Sequence, residues 1–281
     1  MPKVTRQVVK PKASSNGKDS SVLDRIMPAS EYVDHGCKIV VYGRGGSGKT
    51  TLISTFPKPL LHVVCSGTGE VRSIKNVKGI DTVTLNDADE LKEISDGAAD
   101  RYATIALDHI TGYRDLVLKK VLGVDDLPPQ LSWGTASQEQ WGQVTAGVKE
   151  HVNNLLKLPN TVVIAAQERV FDNDEKSSDL LDPYVNCDLN PGIVGWLNYQ
   201  VDYLVQTFIR PKIIVKETKI KAGGKEKTIK TNMVSNTEFE YCLRTGIHSV
   251  CMTKFRVPRG VEKPSVIIDP SWDKIEKIIN G

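Results

Sequence analysis

The chain has 281 residues, 40% hydrophobic and 25% charged, proportions of a globular protein that exclude a wholly disordered, collagenous or fibrous chain. No apolar run approaches the ~18 residues of a membrane span, and Met1-Pro-Lys-Val-Thr-Arg6 lacks the apolar stretch and cleavage site of a secretory signal. A cytoplasmic protein without a membrane partner is therefore expected. The net charge of +3 does not by itself indicate nucleic acid, and five widely spaced cysteines without a C-x-x-C pair point to buried thiols rather than disulfides or zinc.

In chain order, residues 1–29 place Lys3, Arg6, Lys10, Lys12 and Lys18 among Ser, Gly, Asn and Pro, the pattern of a disordered basic tail. A core is expected from 30 to 260. Its first β-type run, Cys37–Tyr42, ends at a glycine cluster and predicts strand, loop and helix. Apolar runs recur at Leu60–Cys65, Thr82–Leu85, Thr104–Leu107 and Thr161–Ala166. Between the last two, Val144, Val148, Val152, Leu155 and Leu156 keep helical spacing up to Pro159. Strands alternating with helices predict an α/β fold with a mostly parallel sheet. Beyond residue 200 the runs Val201–Arg210, Lys212–Lys219, Phe239–Leu243 and Ser249–Phe255 leave no room for helices. They predict a C-terminal antiparallel β extension, with a hairpin over 207–245 turning at Gly223-Gly224. Residues 261–281 read as a tail segment.

Charge is unevenly spread. Residues 207–231 carry Arg210, Lys212, Lys216, Lys219, Lys221, Lys225, Lys227 and Lys230 against Glu217 and Glu226. Residues 168–190 carry Glu168, Asp172, Asp174, Glu175, Asp179, Asp182 and Asp188 against Arg169 and Lys176.

The most specific signal is Gly43-Arg-Gly-Gly-Ser-Gly-Lys-Thr50, which fits G-x-x-x-x-G-K-[ST] between a predicted strand and a predicted helix. Glycines let backbone N–H groups turn inward around phosphate oxygens, and a helix start adds partial positive charge. The candidate ATP-binding residues are Gly43, Arg44, Gly45, Gly46, Ser47, Gly48, Lys49, Thr50 and Thr51. Lys49 is expected on the β/γ-phosphates and the Thr50 hydroxyl on Mg²⁺. Ala103-Thr-Ile-Ala-Leu-Asp108 is a β-type run ending in the second carboxylate such a Mg²⁺ site needs, Asp108. His109 beside it reads as a structural neighbour, with no second His at ligand spacing. Hydrolysis also needs a group that orients water. Asp108 is not followed by Glu, so Glu70, after the strand ending near Cys65, is a candidate.

An acidic residue after the second strand, an Asp108 without adjacent Glu, and a strand ending in Gln167 together resemble RecA-like ATPases. More closely, the chain resembles the compact RecA-core ATPases of bacteriophages associated with single-strand annealing and recombination. The likeness runs through Thr104–Thr111, Trp141-Gly142, Gln167, Val201-Asp-Tyr-Leu204, Leu243-Arg-Thr245 and Lys254-Phe-Arg256, over roughly residues 35–260. It implies that Glu70 activates water, with Glu168 as the alternative, and that Gln167 senses the γ-phosphate. It also implies that Lys254 and Arg256 form a finger reaching a neighbouring subunit's nucleotide, which requires a homo-oligomer, ring or filament. The implied function is a Mg²⁺-dependent ATPase on single-stranded DNA, stimulated by that DNA, in host cytoplasm and working with a phage single-strand DNA-binding protein.

DNA-facing loops in such proteins follow the strands ending near Asp108 and Gln167, here 123–140 with Trp133 and 168–197 with Trp196. The second is acidic, unsuited to phosphate contact, so the basic tail and 207–231 are better electrostatic candidates. Trp133, Trp141 and Tyr113 could stack bases or simply pack in the core. Two other functions share the phosphate loop: a nucleotide-dependent interaction module, such as a helicase loader or packaging accessory, and a small-molecule kinase.

Overall fold

Elements in chain order are β1 (Lys38–Gly43), α1 (Lys49–Ile53), β2 (Leu60–Val64), a 3-10 turn (Glu70–Ser73), β3 (Ile80–Thr84), α2 (Glu90–Gly97), β4 (Thr104–Asp108), α3 (Ile110–Leu122) and α4 (Gln138–Leu156). They continue with β5 (Thr161–Phe171), β6 (Tyr184–Cys187), α5 (Pro191–Gln200), β7 (Tyr203–Ala222), β8 (Lys225–Arg244), β9 (Lys254–Phe255), β10 (Val266–Ile268) and α6 (Trp272–Asn280). The computed structural model describes residues 36–65, 70–127, 136–171, 184–222 and 225–281, with only the backbone of Glu70 and of 215–232. The expected basic tail, Trp133 and the Gly223-Gly224 turn lie outside the described residues.

The fold is α/β, with strands ordered β10-β8-β7-β1-β5-β4-β2-β3. From β7 to β3 every neighbouring pair is parallel, while β8 and β10 continue the same sheet antiparallel. β1, β2 and β4 are buried at every residue because both sheet faces are covered, which is why their sequences are apolar runs rather than alternations. On one face Val40, Tyr42, Val63 and Ile164 pack with Val144, Val148 and Val152 of α4 and with Ile193 and Leu197 of α5. On the other, Ile39, Val41, Val163 and Val205 pack with Leu52 and Ile53 of α1 and with Trp272 and Ile275 of α6.

Several element ends are fixed by chemistry legible in the sequence. Ser137 and Gln140 form a capping box at α4, and Pro191 opens α5 where its missing N–H costs nothing. The buried Lys38 ammonium donates to the carbonyls of Leu158 (2.6 Å) and Asn160 (2.5 Å), closing the turn after α4.

Three expectations change. The separate β-type runs after residue 200 are two continuous strands of 20 residues each, β7 and β8, with a register shift where Pro211 interrupts the ladder. Ser249–Phe255 is not a strand but an isolated bridge at Cys251 followed by the two-residue β9, because the His248 ring accepts the N–H groups of Val250 and Cys251. Residues 261–281 are not a tail: β10 pairs Val266–Ile268 with Arg244–Cys242, and α6 packs Trp272 on Phe56 with ring centroids 4.7 Å apart.

Among the described residues none of the five cysteines forms a disulfide, and burial pushes the Cys187 thiol up to about 12, far from reactive. No described helix is long and apolar enough to cross a membrane.

Trp272 is 9% exposed, and its backbone N–H donates to Thr55 Oγ1 at 2.8 Å. Trp272→Ala is expected to lower stability by about 3 kcal/mol in urea unfolding, whereas loss of a true tail residue would cost almost nothing.

Candidate functional site

The site hangs on the C-terminal end of β1. In register, Gly43 lies opposite Gln167 of β5 on one side and Thr207 of β7 on the other. A Cβ at Gly43 would stand 2.4 Å from both the carbonyl oxygen and Oγ1 of Thr207, so only glycine fits. Thr207 Oγ1 also lies 2.7 Å from Ser47 Oγ, tying the loop's turn to β7. The loop then enters α1, which has five residues. So short a helix aligns few peptide dipoles, so anion binding rests on the loop's N–H groups and on Lys49 more than the expected helix start.

Lys49 is buried, and its ammonium donates to the carbonyls of Gly43 (2.8 Å) and Arg44 (3.0 Å) and to Gln167 Oε1 (3.3 Å). β5 lies between β1 and β4, which places Gln167 between the phosphate loop and Asp108. The Thr50 hydroxyl donates to Asp108 Oδ2 at 2.8 Å. Behind that carboxylate stands His62 of β2, fully buried, with Nε2 at 3.1 Å from the same oxygen. Burial pushes the Asp108 carboxyl up, but hydrogen bonds and charge from His62 and the Thr50 hydroxyl outweigh it and hold it below the usual carboxylate range. A hydroxyl and an ionised carboxylate side by side are the hard oxygen donors that a Mg²⁺ ion takes from protein when phosphate and water complete its shell.

His109 caps α3, its Nδ1 accepting the Gly112 N–H at 2.9 Å. Burial, followed by the Lys49 charge, outweighs Asp108 and lowers its pKa, consistent with a structural neighbour.

A cleft of ≈ 690 Å³ joins these groups, lined by the loop from Gly45 to Leu52 and by Asp108, His109 and Gln167. Its lining also includes four residues that sequence reasoning missed: Ser73, Tyr241, Asp269 and Pro270.

A model of the AAA domain family matches residues 35–238. The chain belongs to the AAA domain family. It is accordingly a nucleotide-binding ATPase domain of the phosphate-loop type. No curated protein matches it. Among solved structures, the flagellar accessory protein FlaH from Methanocaldococcus jannaschii is similar over 84% of this chain and 91% of its own, at 11% identity and a TM-score of 0.34, a likeness too slight to carry an argument.

The other candidates are dispersed, and Lys254 and Arg256 lie beyond the matched residues 35–238. Glu70 opens the 3-10 turn that ends at Ser73 on the cleft wall, and its side chain lies outside the described residues. Arg44 points away from the cleft, 84% exposed, and pairs with Glu168 at 2.8 Å. Glu168 also accepts from Gln206 Nε2 at 3.0 Å, so both of its oxygens are engaged away from Asp108.

Lys254 and Arg256 are not in the cleft. Phe255 between them pairs with Tyr203, the first residue of β7, four residues before Thr207 and beside Ile39 of β1 rather than Gly43. The Lys254 ammonium donates to the Asn198 (2.9 Å) and Val201 (2.5 Å) carbonyls at the end of α5, and burial with Arg256 nearby lowers its pKa. Arg256, 64% exposed, lies 3.6 Å from Asp202. Of the candidate stacking aromatics, Tyr113 is buried with its hydroxyl on the Ala88 carbonyl, and Trp141 packs half-buried on the core.

Asp108→Asn keeps the shape and removes the charge, so Mg²⁺-dependent turnover is expected to fall more than tenfold while the fold persists, checked by ATPase assay against Mg²⁺ concentration. Lys254→Met is expected to lower stability by about 1–2 kcal/mol and leave ATP affinity, measured calorimetrically, within twofold.

Proposed function

We propose that this chain is a Mg²⁺-dependent, RecA-like ATPase that assembles into a homo-oligomer on single-stranded DNA and serves phage recombination or annealing. The observation that carries the ATPase part is the convergence of Lys49, Thr50, Asp108 and Gln167 on one cleft from three adjacent strands. The DNA part is supported by the sequence resemblance and by the basic composition of 207–231, which lies in the long β7–β8 hairpin.

In this reading the loop N–H groups and Lys49 bind the phosphates, with Lys49 released toward them from the Gly43 and Arg44 carbonyls. Thr50 and Asp108 would hold Mg²⁺, which supplies charge neutralisation on the phosphoryl oxygens. Gln167, already on Lys49, would register whether the γ-phosphate is present. Glu70 is the proposed base that orients water, since Glu168 is held by Arg44 and Gln206. Arg256, which does not line its own cleft, would act on a neighbouring subunit's nucleotide.

One observation favours a second reading, a slowly hydrolysing nucleotide-dependent interaction module. Lys254 is committed to the end of α5, which leaves the expected two-residue finger with Arg256 alone.

The test is ATP turnover of wild type and Lys49→Ala with and without single-stranded DNA, with assembly mass followed by light scattering. DNA is expected to raise wild-type turnover several-fold and to increase assembly mass with ATP, and Lys49→Ala to abolish turnover. Equal turnover with and without DNA by a protein that stays monomeric would overturn the DNA-dependent oligomer. Turnover by an assembled protein that does not change on Glu70→Gln would favour the module.

A further inference from the structure

The cleft has two chemically different ends. Asp108 and Gln167 come from β4 and β5, on one side of β1, whereas Tyr241 and Asp269-Pro270 come from β8 and the turn after β10, on the other. The first end holds the groups that suit a triphosphate and its cation. The second offers an aromatic ring, a proline and one carboxylate.

Tyr241 is 47% exposed, so its ring is not spent on the core. It sits against Gly48, where a Cβ would come within 3.1 Å of the ring edge, and Gly48 itself has φ +90. A side chain at 48 would therefore be strained by its backbone and crowd the ring.

Asp269 has φ 46, an uncommon left-handed conformation for a non-glycine residue. Neighbours hold it there: its N–H donates to the Tyr241 carbonyl at 2.8 Å, and its own carbonyl accepts from Lys274 Nζ at 2.8 Å. Its carboxylate makes no hydrogen bond or ion pair with the described residues. An ionised carboxylate can only accept hydrogen bonds, so it fits a ligand that presents donors beside a flat apolar ring.

We propose that Tyr241 and the Asp269-Pro270 turn form the nucleoside end of the site, with the base lying on the Tyr241 ring and Asp269 accepting from a nucleoside donor. This rests on the phosphate-loop reading of the other end. Two donors share the required chemistry, the ribose hydroxyls and the exocyclic amine of adenine.

Calorimetric titration of the full-length protein with Mg²⁺-ATP and with Mg²⁺-tripolyphosphate, which has no nucleoside, tests it. Tyr241→Ala is expected to weaken ATP binding about tenfold, in the range of one lost base-stacking contact, and leave tripolyphosphate binding unchanged. Tyr241→Phe, which keeps the ring, is expected to bind both as wild type does.

Asp269→Asn is expected to weaken ATP and erase wild-type discrimination against one analogue. Loss of discrimination against 2′-deoxy-ATP identifies the ribose. Loss against purine riboside triphosphate, which lacks the amine, identifies the base. The proposal is overturned if Tyr241→Ala weakens ATP and tripolyphosphate alike, making the ring a prop for Gly48, or weakens neither. It is also overturned if Asp269→Asn leaves wild-type discrimination against both analogues intact. Lys49→Ala separates the two readings, because undiminished tripolyphosphate binding in that variant means the phosphate end itself was misassigned.

Discussion

The register of β1 between two parallel neighbours is the constraint on which the site depends. Because Gly43 is opposite Gln167 on one side and Thr207 on the other, the phosphate loop emerges between a polar side chain that meets Lys49 and a threonine that meets Ser47. A shift of one residue in either neighbour would turn Gln167 or Thr207 to the opposite face. The missing Cβ at Gly43 is part of the same constraint, since β7 could not approach so closely past any other residue.

A second layer of support lies out of sight of solvent. Thr50 meets Asp108, and Asp108 meets His62, so the hydroxyl proposed to hold Mg²⁺ is fixed through two strands. Burial alone would favour a neutral carboxyl at 108, which would be a poor cation ligand. Its hydrogen bonds reverse that preference.

Much of this was legible in the sequence where the determinants are local. The loop motif, the apolar run ending at Asp108 and the one ending at Gln167 each mark within a few residues a segment that reaches the cleft, and parallel strands buried on both faces advertise themselves as uninterrupted Val, Ile, Leu and Ala. What escaped depends on pairings between distant segments. Tyr241 and Asp269 reach the cleft only through the β7–β8 and β8–β10 pairings, and no local pattern encodes them. Lys254 looked like half of a finger because its motif is local, whereas its α5 partners lie more than fifty residues earlier. Residues 261–281 looked like a tail because α6 is short and five of its nine residues are polar, although Trp272, Ile275, Ile278 and Ile279 mark one face of it.

The β7–β8 pair outruns the sheet that anchors it. β1 stops pairing with β7 at Thr207 and β10 stops pairing with β8 at Cys242, so beyond that point the two strands pair only with each other among the described residues. At about 3.3 Å per residue, positions 208–222 extend about 50 Å from the root. The root is also where Thr207 holds Ser47 and where Gln206 joins Glu168 to Arg244. The geometry is that of a long pointer on a short pivot: a tilt of about 5° beside the phosphate loop displaces the far end by about 4 Å at this length.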